Sequence, residues 1–155
     1  MRVNEFLKPS LVIPELDATS RDEVLREVAE HLCRAEPGLT ATVEQIHGNL
    51  TSRERLGSTG VGEGVAIPHT KLAGLDHLIA AFGRSSRGVD FNAVDGKPVH
   101  LFFVLLVPEH SAGIHLKALA RISRLLKDEA FRHRLLDLQR ADQLFQAFLD
   151  EDTRP

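Results

Sequence analysis

Apolar positions recur along the chain with three successive periods. Through residues 1–56 the period is helical. Leu11-Val12-Ile13 ahead of Pro14 predicts only a short extended piece. Ser20 followed by Glu23 has the spacing of a capping box, and Leu25, Val28 and Leu32 then repeat on one helical face until Pro37-Gly38. A second helix is predicted from near Thr42, with Val43, Ile46 and Leu50 on one side. Residues 57–108 switch to short β-prone runs. These are Val65-Ala66-Ile67, Leu78 to Phe82, and Val99 to Val107, the last held between Pro98 and Pro108 after an Asp95-Gly96 turn. A near-continuous apolar run of that length predicts a central strand covered on both faces. From Ser111, a candidate N-cap, helical spacing returns through His115, Leu119, Ile122 and Leu126. Two shorter helices are predicted next, one carrying Phe131, Leu135 and Leu138 and one carrying Leu144, Phe145 and Phe148. The polar tail from Asp150 to Pro155 is expected to fray.

Helices on either side of a strand zone predict a layered α/β or α+β domain. The 155 residues set an expectation of a single domain over 1–155. With 43% apolar and 26% charged residues the chain has the balance of an ordinary globular protein, which excludes disorder as the default. No apolar run approaches the roughly 20 residues that cross a bilayer, and Met1-Arg2-Val3-Asn4-Glu5 leads into no signal segment, so a cytoplasmic location is expected. The net charge of −3 gives no bulk attraction to phosphate backbones, and Trp and Tyr are absent, so no nucleic-acid partner is expected. A lone cysteine, Cys33, forbids an internal disulfide. Against it stand eight histidines, which makes imidazole the expected seat of any chemistry.

The densest motif runs from Arg53-Glu54-Arg55 through Thr59-Gly60-Val61-Gly62-Glu63-Gly64 to Val65-Ala66-Ile67-Pro68-His69. Glycines at this density let a main chain approach a ligand closely, and their N–H groups are able to converge on an anion. A P-loop closes with Gly-Lys-Ser/Thr and opens a helix, whereas this loop runs into extended chain. A dinucleotide fingerprint places a strand before its glycines and a helix after, the reverse of the order here. By themselves the glycines describe a surface turn. Pro68, however, biases Ile67 to extended geometry and limits how His69 is presented at the strand end. Neutral imidazole is nucleophilic near pH 7, and phosphoryl transfer asks a protein mainly for positioning and charge stabilisation. Arg53 and Lys71 are the candidate cations.

The run from Arg53 to His69 resembles the active-site segment of the enzyme IIA domains of the fructose–mannitol class in the bacterial phosphotransferase system. Leu105-Leu106-Val107-Pro108 and His115-Leu116-x-x-Leu119 extend the resemblance over most of the chain, which looks most like the nitrogen-regulatory branch of that class. Thr70 stands where the family has a very small residue. The resemblance implies a three-layer fold, a mixed β-sheet with helices on both faces. It implies a phosphohistidine carrier in which His69 accepts a phosphoryl group from an HPr-like phosphocarrier charged through an enzyme I. It assigns the family's second histidine to His115 and its arginine to Arg53, and makes Thr59, Gly60, Gly62 and Gly64 the phosphoryl-binding loop, with no metal and no cofactor. Regulatory targets of such relatives include a potassium transporter or a sensor kinase. A sugar-specific enzyme IIA serving a fructose- or mannitol-type permease, and an interaction module with an idle histidine, are the alternatives.

His115 fits its implied role on its own terms. It falls in the first turn of a predicted helix, where added positive charge is disfavoured, so a neutral imidazole that donates to an anion is expected. Without the resemblance, a core histidine sharing the Leu119–Ile122–Leu126 stripe is the simpler expectation. Val61, Val65, Ile67 and Leu72 are the candidate apolar rim of an open depression, with core packing as their alternative role. His100, inside the apolar strand run, is expected to be half-buried and hydrogen-bonded, and Cys33 to pack as a small apolar residue.

Overall fold

The computed structural model describes residues 1–154. Single 3-10 turns at Val3–Glu5 and Pro9–Leu11 lead into β1 (Val12–Ile13). Helices α1 (Arg21–Ala35) and α2 (Val43–Arg55) follow, and then β2 (Gly60–Gly62), β3 (Val65–Ala66) and β4 (His69–Leu72). The long strands β5 (Ile79–Val89) and β6 (Val99–Pro108) precede α3 (Ala112–Lys127), α4 (Glu129–Asp137) and α5 (Ala141–Asp152).

The sheet is mixed. Its order is β1-β5-β6-β3-β2, and β4 continues along the β6 edge beyond β3. β5 and β6 are antiparallel, whereas β1 on β5 and both β3 and β4 on β6 are parallel. From Leu101 to Val107 every β6 residue is buried, as a central strand with both faces covered requires. Phe82 and Phe103 are register partners. Phe148 of α5 meets both edge-on, with ring centroids 4.9 and 5.4 Å away, and Phe131 of α4 lies 5.2 Å from Phe148. Such aromatic clusters combine large apolar burial with favourable edge-to-face geometry.

Thr42 and Gln45 form the capping box that starts α2. Ser20 caps α1 by accepting the N–H of Glu23 at 3.2 Å, while the Glu23 carboxylate turns to the hydroxyls of Ser20 and Thr19. Ser111 precedes α3, but its hydroxyl donates to the Pro108 carbonyl at 2.9 Å and caps nothing.

Three differences from the sequence pattern have tertiary causes. β5 runs on to Val89 through Arg84, which is 4% exposed. The Arg84 guanidinium donates to the carbonyls of Pro14, Leu135, Leu136 and Leu138, so a charged residue is satisfied inside a strand. β4 has no apolar alternation and exists because His69 to Leu72 pair with Leu105 to Pro108. The tail does not fray from Asp150: α5 continues to Asp152, which is 5% exposed. Its carboxylate accepts from Val3 N–H at 2.8 Å and from Arg121 Nε at 2.5 Å, and its carbonyl accepts from Arg2.

Candidate functional site

The glycine segment folds as the hairpin β2–β3, tied to the end of α2. Glu54 on α2 is 4% exposed; its carboxylate accepts the N–H of Thr59 at 3.1 Å and the Thr59 hydroxyl. The Thr59 carbonyl accepts from Ile67 N–H at 3.0 Å, and the Pro68 carbonyl accepts from Leu105 N–H at 2.9 Å. Between these two anchors the chain leaves β3 and enters β4, whose first residue is His69. At the turn Gly64 takes φ +78°, and its carbonyl accepts the N–H groups of His100 and Leu101.

Among the described residues the His69 ring is held by one hydrogen bond. Its Nδ1 lies 2.7 Å from the Ile67 carbonyl. A carbonyl only accepts, so Nδ1 carries the proton and, in the neutral ring, Nε2 carries the lone pair. Burial lowers the His69 pKa below 6.5; the bond to Ile67 opposes that shift and the Arg53 charge adds to it. The ring is therefore neutral at pH 7, and among the described residues its basic nitrogen has no hydrogen-bond partner.

Beside it lies an open depression of about 380 Å³, lined by Asn49, Ser52, Arg53, Leu56, His69, Thr70, Lys71 and His115. Among the described residues no carboxylate lines it. The His115 ring centroid is 5.2 Å from that of His69, at an interplanar angle of 60°. Burial lowers the His115 pKa as well, with His69, Lys71 and Arg53 contributing in that order. Its Nε2 is buried and has no hydrogen-bond partner among the described residues, a condition that protein interiors rarely tolerate without a ligand or water to meet it. Arg53 reaches the site from the last turn of α2, steadied by Nη1 donating to the Gly57 carbonyl at 2.8 Å. The depression thus offers an imidazole lone pair, a second neutral imidazole and two cations, a set suited to a tetrahedral anion bonded to His69.

His69, His115 and Arg53 are brought together. Thr59, Gly60, Gly62 and Gly64 are not: none lines the depression. The Thr59 and Gly60 N–H groups already bond Glu54 and the Ser58 hydroxyl. These residues shape the hairpin that presents the histidine and do not face an anion beside it. The expected rim is likewise elsewhere. Val65, Ile67 and Leu72 are core, and Val61 is exposed but borders another cleft. The apolar edge is Leu56, 86% exposed. Asn49, Ser52 and Leu56 were not singled out by the motif. Their signal is the i, i+3, i+4, i+7 spacing of Asn49, Ser52, Arg53 and Leu56 along one face of α2 and its C-cap. Thr70 is half-buried in β4, opposite Leu106. His100 is half-buried, with Nδ1 2.8 Å from the Ser85 carbonyl, and Cys33 packs against the core. Among the described residues no group of three or more His, Cys, Asp or Glu is placed to hold a metal ion.

A family model described as "Phosphoenolpyruvate-dependent sugar phosphotransferase system, EIIA 2" matches residues 5–151. The chain is 41% identical over 136 residues to a nitrogen regulatory protein of Bradyrhizobium diazoefficiens, covering 87% of this chain and 86% of that one. It is 34% identical over 152 residues to the fructose-specific EIIABC component of Bacillus subtilis, covering 98% of this chain and 24% of that protein. The crystal structure of the nitrogen regulatory protein IIA-Ntr from Neisseria meningitidis superposes with a TM-score of 0.87 at 34% identity, covering 94% of this chain and 98% of that one.

Proposed function

The chain belongs to the EIIA 2 family of the phosphoenolpyruvate-dependent sugar phosphotransferase system, and from that membership we propose that it carries a phosphoryl group on His69 Nε2 as a regulator of nitrogen metabolism. The observation that carries this reading is the Nδ1 bond to Ile67, which leaves Nε2 as the nucleophile on a histidine lining a depression with no carboxylate among the described residues. The donor is a phosphohistidine on an HPr-like phosphocarrier. Nε2 of His69 attacks phosphorus in line, an N–P bond forms as the donor's N–P bond breaks, and the departing nitrogen keeps the electron pair. Nδ1–H stays on the Ile67 carbonyl throughout, which disperses positive charge from the phosphorylated ring.

Arg53 and Lys71 balance the charge on the transferred group, and His115 donates from Nε2 to one of its oxygens. This meets the unpartnered state of that nitrogen. Thr59, Gly60, Gly62 and Gly64 act by holding the hairpin in place. Phosphorylation adds roughly two negative charges to an open surface, enough to create or block docking of a regulatory target such as a potassium transporter or a sensor kinase. No helix among the described residues is long and apolar enough to cross a membrane, and we assign the protein to the cytoplasm.

The nitrogen regulatory proteins match at 41% and 39% identity over 87% and 97% of this chain, which supports the regulatory reading. Labelling with phosphoenolpyruvate, enzyme I and the HPr-like carrier is expected to place one acid-labile phosphoryl group on His69 and none on a folded His69→Ala protein. Onward transfer to a fructose-type permease domain at a rate matching acceptance would instead support the sugar-transport reading.

A further inference from the structure

A second cleft runs between the β2–β3 hairpin and the corner of α3 and α4, apart from the His69 depression. Its larger lobe, about 450 Å³, is lined by the apolar side chains of Val61, Val65, Ile67 and Leu126. A lobe of about 200 Å³ continues towards His100 and His133, and Glu63, Glu129 and Arg132 border both. Lys127 completes the charged set. Two cations, Arg132 and Lys127, thus share the rim with two carboxylates around an apolar lining.

Arg132 is held rigidly. Its Nη1 donates to the carbonyls of Leu126 at 3.0 Å and Lys127 at 2.7 Å, at the end of α3. Among the described residues its Nε and Nη2 make no hydrogen bond, and Nη2 stops 3.9 Å from the Glu63 carboxylate. The Glu63 and Glu129 side chains stand at the open rim, 68% and 75% exposed, and accept no hydrogen bond among the described residues; the Glu129 carboxylate lies 4.0 Å from His133 Nε2. Glu63 has φ +58°, a left-handed conformation that disfavours any residue with a Cβ. Glycine would turn the hairpin there with less strain, so the turn by itself gives no reason for a glutamate.

We propose that this cleft binds a free α-amino acid with a branched apolar side chain. Arg132 takes the carboxylate through Nε and Nη2, Glu63 takes the ammonium, and the side chain lies between exposed Val61 and the cleft floor, where the core residues Val65, Ile67 and Leu126 come to the surface only at their edges. The balanced rim selects a dipolar ligand. A simple anion would meet two carboxylates, and a simple cation two positive groups.

The test titrates the full chain with L-leucine, isocaproate and isoamylamine while following backbone amide NMR resonances. Leucine is expected to give saturable shifts at Gly62, Gly64, Ile67 and Ser123, and each single-charge analogue to bind about tenfold more weakly or worse. Glu63→Gly relaxes the backbone, so it is expected to keep its melting temperature and its labelling on His69 while losing leucine affinity by a similar factor. Ser123→Trp, filling the larger lobe from α3, should lose it too. Absence of saturable shifts, isocaproate binding as tightly as leucine, unchanged affinity in folded Glu63→Gly, or shifts confined to Asn49 and Thr70 would each overturn the proposal. Phosphorylation of His69 is read separately and does not decide it.

Discussion

Glu54 is the first link in a series of contacts that ends at the histidine. Its carboxylate holds Thr59, the Thr59 carbonyl holds Ile67, and the Ile67 carbonyl holds His69 Nδ1 at 2.7 Å. Glu54→Ala leaves the Thr59 N–H and hydroxyl without a partner in a site where Glu54 and Thr59 are both only 4% exposed. A buried donor left unpaired costs about 1–3 kcal/mol. Water reaching the loosened hairpin recovers part of that, so about 3 kcal/mol is expected for the pair. In a chain of this size each kcal/mol lowers the melting temperature by about 2–4 °C, which gives a fall of about 6–12 °C. Glu54→Gln keeps one acceptor and turns an amide N–H₂ towards the other donor, for about half the loss. Thr59→Val breaks the same contact from the other side, so the two changes combined should be non-additive by about 1 kcal/mol or more. Thermal unfolding followed by circular dichroism reads all four proteins. A fall of less than about 2 °C for Glu54→Ala, or an additive double variant, would refute this account of the hairpin.

Other outcomes follow from the same contacts. Because burial lowers the His69 pKa, its NMR titration midpoint is expected below 6.5, and labelling should hold steady as pH falls to 6.5 and decline only below it; a midpoint above 6.5 contradicts this. The same direction governs stability. Below 6.5 the unfolded chain binds more protons at His69 and His115 than the folded chain does, so urea midpoints should drop as pH falls from 6.5 towards the lowered values and be unaffected by these groups above it. His69→Gln should flatten part of that slope. Arg53→Met is expected to slow phosphoryl acceptance by about 10–100-fold and to raise the His69 midpoint, with little change in melting temperature; a normal rate would remove Arg53 from the site. Asp152→Ala strands Arg121 and the Val3 N–H, and is expected to cost about 2 kcal/mol in urea unfolding. An unchanged midpoint would show that the last turn of α5 is not anchored as described.

What the sequence disclosed depended on whether the governing contacts were local. α1 and α2 were legible because Ser20 and Thr42 cap them within four residues. β6 was legible because burial on both faces leaves an uninterrupted apolar run. β4 was not, since His-Thr-Lys-Leu becomes a strand only by pairing with Leu105 to Pro108. The second half of β5 was hidden because Arg84 satisfies its guanidinium on carbonyls up to 70 positions away. At the site, the motif pointed to His69, Arg53 and His115, which converge across more than sixty positions of sequence. It overstated the glycines, because composition does not show which N–H groups are already bonded. It passed over Asn49, Ser52 and Leu56, whose signal is a helical face and not a word in the sequence.

The most direct test of the carrier reading asks which nitrogen bears the phosphoryl group. The full chain is labelled through phosphoenolpyruvate, enzyme I and the HPr-like carrier, then mapped by mass spectrometry, and the phosphohistidine isomer is identified by NMR. The expected product is His69 phosphorylated on Nε2, with Nδ1 still donating to Ile67. Phosphate on Nδ1, on any other residue, or on nothing at all in the presence of competent donors would contradict it.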